Sequence, residues 1–252
     1  MPRTDITLTT EDGLCAVTLH TPSSRGSWPA VILYPDAGGV RETFHAMADR
    51  LAGLGYTVLL PDVYYRSGGY PPFDVATVFS DSAERERLSS LAASVSREMV
   101  VRDAGVFLDF LAERPEVSGT EVSGTGVGTT GYCMGGRISL IVAGHYPERV
   151  AAAASFHGSR LAADDDPDSP SLLAERIRAT VYVAAAENDS YFPPEQYQRL
   201  EQALTAAGVK HIIETYPAAH GFAVPDTPSY DTIADERHWT ALTDLYAANL
   251  QN

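Results

Sequence analysis

The stretch that most constrains this chain is Gly131-Tyr132-Cys133-Met134-Gly135-Gly136. It follows a β-branched, glycine-rich run, Gly126 to Tyr132, and opens an apolar helical pattern through Ile138, Leu140, Ile141 and Val142. A strand that passes into a helix within one residue needs a turn too tight for β-carbons, and glycines two residues on either side of Cys133 meet that need. The pattern G-x-C-x-G-G is that of a nucleophile elbow with sulfur in place of a serine oxygen. Such a turn holds one side chain over the sheet edge, and the helix N-terminus behind it offers unpaired N–H groups. A buried structural cysteine beside a glycine turn is the plainer alternative.

An elbow of this kind belongs at the carboxyl end of a parallel strand, and the rest of the chain supplies the sheet. Asp5 to Thr10 and Leu14 to His20 alternate around Glu11-Asp12-Gly13 and predict an exposed β-hairpin. Ala30 to Tyr34, Thr57 to Leu60, Gly126 to Tyr132, Val150 to Phe156, Thr180 to Ala186 and His211 to Tyr216 predict further strands. Helices are expected between them, with Phe44, Met47, Leu51 and Leu54 on one face and Val100, Ala104, Phe107, Leu108 and Leu111 on another. Two more are expected at 194–207 and 233–250, and a polar helical stretch passes through Glu84 to Arg87. The alternation implies an α/β fold, a mostly parallel central sheet with helices on both faces, in one domain over residues 1–252. Residues 63–82, rich in aromatics, glycine and proline, read as a lid-like excursion or a self-packed surface loop.

Charge and cysteine usage narrow the partners. Thirty-three acidic against 18 basic residues give a net charge of −15, which argues against nucleic acid or an anionic membrane. Two cysteines are too few for a disulfide framework, and no apolar run approaches a membrane span. The expectation is a cytoplasmic protein acting on a small molecule, with its oligomeric state open.

Three residues fall just after predicted strands, in the order nucleophile, acid, histidine: Cys133, Asp189 and His220. In that reading His220 serves as base for Cys133, Asp189 fixes the imidazole, and Cys133 attacks an acyl carbon. Glu187 and Asp226 are rival acids, and Asn188-Asp189-Ser190 at the turn favours Asp189. The backbone N–H groups of Met134 and Ala37 are the expected oxyanion donors. Asp36 is expected within reach of Cys133, and His157, which also ends a strand, is expected to line the pocket. The Asp164-Asp165-Asp166-Pro167-Asp168 run reads as a solvated loop, a cation site being the lesser reading, and no metal set is expected.

Gly131 to Gly136, Asp189 with Pro193, Ala219-His220-Gly221-Phe222, Pro61-Asp62-Val63-Tyr64 and Arg41-Glu42-Thr43 together resemble the dienelactone hydrolases (carboxymethylenebutenolidases) across nearly the whole chain. The resemblance implies an α/β-hydrolase fold, no cofactor, and a Cys–His–Asp triad that hydrolyses an ester or lactone through a thioester. It implies that Asp36 restrains or tunes the resting thiol, standing where the family has a glutamate. It also implies two arginines that clasp a substrate carboxylate, one on or near Arg85 and the other at the position held here by Val224. With that arginine missing, Tyr64, Phe222 and neighbouring aromatics are expected to favour a neutral, apolar acyl group. A thioesterase or general carboxylesterase is the nearest alternative, and a non-catalytic binding member of the fold a more distant one.

Overall fold

A continuous apolar run has no face to turn to water, so Ala30-Val31-Ile32-Leu33 must lie inside a sheet covered on both sides. All four are fully buried in the computed structural model, which describes residues 1–119 and 126–250. The strands are β1 (Arg3–Thr10), β2 (Gly13–His20), β3 (Trp28–Tyr34), β4 (Thr57–Pro61), β5 (Val117–Ser118), β6 (Val127–Tyr132), β7 (Val150–Phe156), β8 (Thr180–Ala186) and β9 (His211–Tyr216). Their order in the sheet is β1-β2-β4-β3-β6-β7-β8-β9, and the two-residue β5 pairs with the start of β3. The first two strands form the expected antiparallel hairpin, and β2 joins β4 antiparallel. From β4 to β9 every pairing is parallel.

Helices α1 (Glu42–Gly53), α2 (Ser82–Ala93), α3 (Arg97–Ala112), α4 (Met134–His145), α5 (Pro194–Ala206) and α6 (Thr232–Leu250) follow. Side chains of a strand alternate between faces, and β3 divides its residues accordingly. Val31 and Leu33 join Phe44 and Leu51 of α1 and Trp239, Leu242 and Tyr246 of α6 in one core. Ala30 and Ile32 join Phe107 and Leu111 of α3, Ile138 and Ile141 of α4, and Leu200 of α5 in the other. Among the described residues no helix is long and apolar enough to cross a membrane.

Two consequences position a site. The chain leaves β3 for β4 on one side, while β6 lies on the other. Loops that depart in opposite directions open a crevice at the carboxyl ends of β3 and β6. The second consequence concerns residues 73–93. Phe73, Val75, Val78 and Leu88 pack with one another in a small cluster separate from both main cores. Leu88 is the single buried residue of α2. This segment sits over the crevice and contributes little to the cores below.

Candidate active site

The turn at Cys133 is as tight as its glycines imply. A β-carbon at Gly131 would collide with the carbonyl of Gly135, and one at Gly135 with the carbonyl of Tyr34. Cys133 itself is held at φ 53°, ψ −116°, a conformation that costs a non-glycine residue on the order of 1–3 kcal/mol. Its backbone is pinned on both sides. The Cys133 N–H donates to Phe156 O at 3.1 Å, and its carbonyl accepts from Gly136 N at 3.1 Å and Ser159 N at 3.2 Å. The Sγ atom lies 3.4 Å from Ser159 Oγ, a neighbour that sequence reasoning missed. Ser159 stands three residues past the end of β7 and two past His157, and that nearness to a strand end was its only signal.

A pocket of about 450 Å³ opens over the sulfur, and its lining includes Cys133, His157, His220, Asp36, Ala37 and Gly38. The three residues expected to act together converge here. His220 Nδ1 and Asp189 Oδ2 are 2.7 Å apart, and Asp189 also accepts from Tyr191 N at 2.8 Å. The rival Asp226 is elsewhere, accepting from Arg41 and Thr43. The other imidazole nitrogen, His220 Nε2, is buried and closes no hydrogen bond. Burial is the largest single influence on this histidine and lowers its pKa. The neighbouring Cys133 sulfur and the Asp189 carboxylate oppose burial and together raise the pKa to about 10.

The oxyanion candidates flank the sulfur. Met134 is the first residue of α4, so its N–H has no intrahelical acceptor. Ala37 lies in the loop after β3, and Tyr64 fixes its peptide by donating from its hydroxyl to Ala37 O at 2.9 Å. Tyr64 therefore differs from expectation. It is 1% exposed and sits behind the loop, not in the pocket, because its only polar atom is engaged there.

His157 is in the pocket lining, and it is unusual on three counts. It is buried, its φ is 39°, and neither ring nitrogen has a hydrogen-bond partner. Its ring stands edge-on to those of His220 and Phe222, with centroids 5.0 and 5.1 Å away. Burial, followed by the nearby His220 and His238, pushes its pKa well below the usual histidine value and keeps it neutral.

Other expectations are corrected. Asp36 does not reach for the thiol: its carboxylate binds Arg41 at 2.7 and 2.9 Å and accepts from Gly38 N at 2.8 Å. Arg41 continues to Asp226 at 2.7 and 2.9 Å, so one partly buried guanidinium ties the loop after β3 to the loop after His220. Arg85 is exposed on α2 and outside the pocket lining, because that helix turns only Leu88 inward. Val224 and Phe222 are fully buried in the core beside α6. The turns Phe222 N to Ala219 O and Val224 N to Gly221 O swing them away from the site. The acidic run at 164–168 is answered by arginines, with Asp164, Asp165, Asp166 and Asp168 paired to Arg199, Arg160, Arg137 and Arg97.

A model of the dienelactone hydrolase family matches residues 15–250. A protein of Escherichia coli strain K12, provisionally named a carboxymethylenebutenolidase, is 30% identical over 240 residues, which cover 93% of this chain and 82% of the relative. A solved dienelactone hydrolase-like promiscuous phosphotriesterase from metagenomic libraries is 26% identical, with a TM-score of 0.75 over 99% of both chains. A provisionally named dienelactone hydrolase from Klebsiella pneumoniae subsp. pneumoniae MGH 78578 has the same fold, with a TM-score of 0.82 at 24% identity over 98% of each chain.

Proposed function

Since the chain belongs to the dienelactone hydrolase family, with an α/β-hydrolase fold and hydrolysis of carboxylic ester or lactone bonds as its activity, we propose that Cys133, His220 and Asp189 are its catalytic triad. The single domain formed by the chain carries the whole reaction. Cys133 Sγ attacks the acyl carbon and the carbonyl oxygen takes up negative charge. The N–H groups of Met134 and Ala37 receive that charge. His220, with a pKa raised to about 10, already holds the proton that the leaving oxygen needs as the C–O bond breaks. An acyl-thioester on Cys133 results. Water then attacks it, gives its proton to His220, and releases the carboxylic acid as the sulfur departs. Asp189 keeps the Nδ1 proton and the orientation of the imidazole through both halves.

The observation that carries this reading is the one-sided pairing of His220. Its Nδ1 is bonded to Asp189, while its buried Nε2 is left open on the side of a sulfur raised by a strained turn. A structural cysteine has no use for such a neighbour.

The test is to trap the intermediate. Brief mixing with a p-nitrophenyl ester should add one acyl mass to the peptide containing Cys133 and none to the peptide containing Cys15. Cys15 is buried, and burial pushes its thiol up to about 12. Acylation elsewhere, or full turnover by Cys133→Ala, would overturn the assignment.

A further inference from the structure

We propose that this enzyme selects uncharged esters or lactones with an apolar acyl group, and that Val75, Val78, Phe79 and Leu88 form the acyl-binding wall that sets the preference. The proposal rests on Cys133 as the nucleophile and adds the class of substrate brought to it.

The wall comes from the segment over the crevice. Val75, Val78, Phe79 and Leu88 line the pocket that contains Cys133, with Pro228 beyond them. Phe79 is 58% exposed at the mouth, a large aromatic left in water with no core to join. An apolar group entering the pocket would cover it, and that is the driving force such a surface offers. The aromatics expected from the sequence do not form this wall. Tyr65 bonds to Thr10 and Asp103, while Phe192 and Phe222 belong to the main cores.

Charge excludes the alternative. No lysine or arginine lines the pocket among the described residues. The cations that could have reached it are committed elsewhere. Arg41 is shared between Asp36 and Asp226, and Arg66 between Asp12 and Asp103. Arg87 pairs with Glu84 and stacks over Phe73, and Arg85 is exposed outside the lining. The imidazolium of His220 is already answered by Asp189 and the sulfur. A carboxylate on the acyl group would enter a site that holds Asp36 and Cys133, and find no free cation there. A buried anion without a partner is strongly disfavoured.

The two substrate ends then divide between two sides of the crevice. The oxyanion loop and the apolar wall lie on the β3 side, and His220 and His157 lie toward β7 and β9. The acyl chain therefore points under α2 and the leaving oxygen points at His220.

The experiment compares kcat/KM for p-nitrophenyl valerate and mono-p-nitrophenyl glutarate, which differ by a methyl against a carboxylate at the acyl end. It uses wild type, Val78→Arg, Leu88→Ala and Cys133→Ala. Wild type should favour the valerate by at least about 30-fold, as expected for one uncompensated buried charge. Val78→Arg should narrow that ratio or invert it. Leu88→Ala should move the optimum among acetate, butyrate, valerate and hexanoate toward longer chains, since one methylene in an apolar pocket is worth roughly 10-fold or more. Equal turnover of glutarate and valerate by wild type overturns the proposal, and so does an unchanged chain-length profile in Leu88→Ala. Cys133→Ala keeps the two readings apart. Hydrolysis surviving there refutes the nucleophile, whereas a dead Cys133→Ala with an unselective wild type refutes only the wall.

Discussion

Three histidines of this chain place Nδ1 against an aspartate, yet they titrate in opposite directions. His220 meets Asp189 at 2.7 Å, His20 meets Asp49 at 2.8 Å, and His238 meets Asp235 at 3.1 Å. Burial lowers the pKa of His20 and His238 and outweighs the carboxylate in both. At His220 burial is again the largest single influence, but the pKa rises. The carboxylate is common to all three, so it cannot be the cause of the difference. What differs is the second nitrogen. His238 Nε2 accepts from the Tyr132 hydroxyl at 2.8 Å, and His20 Nε2 faces His45 Nδ1 at 3.2 Å. Neither neighbour is an anion that would hold a proton on the ring, so burial prevails, aided by His45 at His20 and by Arg50 at His238. His220 Nε2 is left to a sulfur, and its side chain retains 23% exposure where the other two have none. An Asp–His pair is thus a structural fitting by default, and under the proposed assignment the third group makes it acid–base machinery.

The largest expected effect breaks the comparison at its third group. Cys133→Ala should lower kcat by roughly 10⁴–10⁶-fold, as removal of a triad nucleophile does. The same variant should bring the His220 titration, followed by NMR, down from about 10. With the sulfur gone only Asp189 opposes burial, and the histidine should behave more like His238. A His220 that still titrates near 10 in Cys133→Ala would mean that Asp189 alone sets it.

Next in size is the exchange of carboxylates. Asp189→Asn should cut kcat by roughly 10³–10⁴-fold with little unfolding, because the imidazole loses its tautomer and orientation. Asp235→Asn should do the reverse. It leaves kcat within about tenfold and lowers stability by about 1–3 kcal/mol, since His238 then faces a neutral amide in place of a carboxylate and the Tyr230 hydroxyl loses the oxygen to which it donates. Urea denaturation and steady-state kinetics on the two variants decide. Similar kinetic losses in both would erase the distinction between machinery and fitting.

A smaller effect is expected at the clamp. Arg41→Met leaves Asp36 and Asp226 without their shared cation and should cost about 3–5 kcal/mol of stability. Its effect on kcat should stay well below that of Asp189→Asn, because the clamp acts through the two loops and not on the reacting atoms. The pH profile of Cys133 alkylation in Asp36→Asn is the sharper reading. An unchanged profile is expected from a carboxylate that faces Arg41, and a shifted one would return Asp36 to the thiol.

How much of this was legible in the sequence depends on the range of the forces involved. β3 could be read because its apolar run has one physical solution, and the elbow because Gly131 answers a collision with Gly135 four residues on. The meeting of Asp189 with His220 in the crevice that holds Cys133 could be read because all three residues follow strand ends, a rule of topology that needs no coordinates. Asp36 could not. Its direction is decided by Arg41 five residues on, and Arg41 is aligned by Asp226, 185 residues away. Val224 is marked as a pocket residue by the family resemblance and Phe222 as an aromatic beside His220, but two tight turns carry them into the core. The wall of Val75, Val78 and Leu88 left no periodic signal, because a segment that packs only on itself and a crevice need not repeat.

The smallest effect is a slope, and its sign follows from the two kinds of histidine. A folded pKa above the unfolded value near 6.5 means that the native state binds the extra proton between those two values. His220 therefore contributes stability that is fully present below about pH 6.5 and is lost as pH rises toward about 10. His20 and His238, with lowered folded values, work oppositely: their contribution is present above about pH 6.5 and is lost as pH falls. Unfolding free energy plotted against pH should fall on both sides of a maximum, by an amount on the order of a few kcal/mol on the alkaline side, with melting temperature following it. The two limbs have different owners, and Cys133→Ala separates them. Removing the sulfur should flatten the decline between about pH 6.5 and 10 while leaving the decline below pH 6.5 in place. If the alkaline limb of Cys133→Ala matches that of wild type, the proton on His220 is not held by the sulfur. The contrast between the three Asp–His pairs would then need another origin.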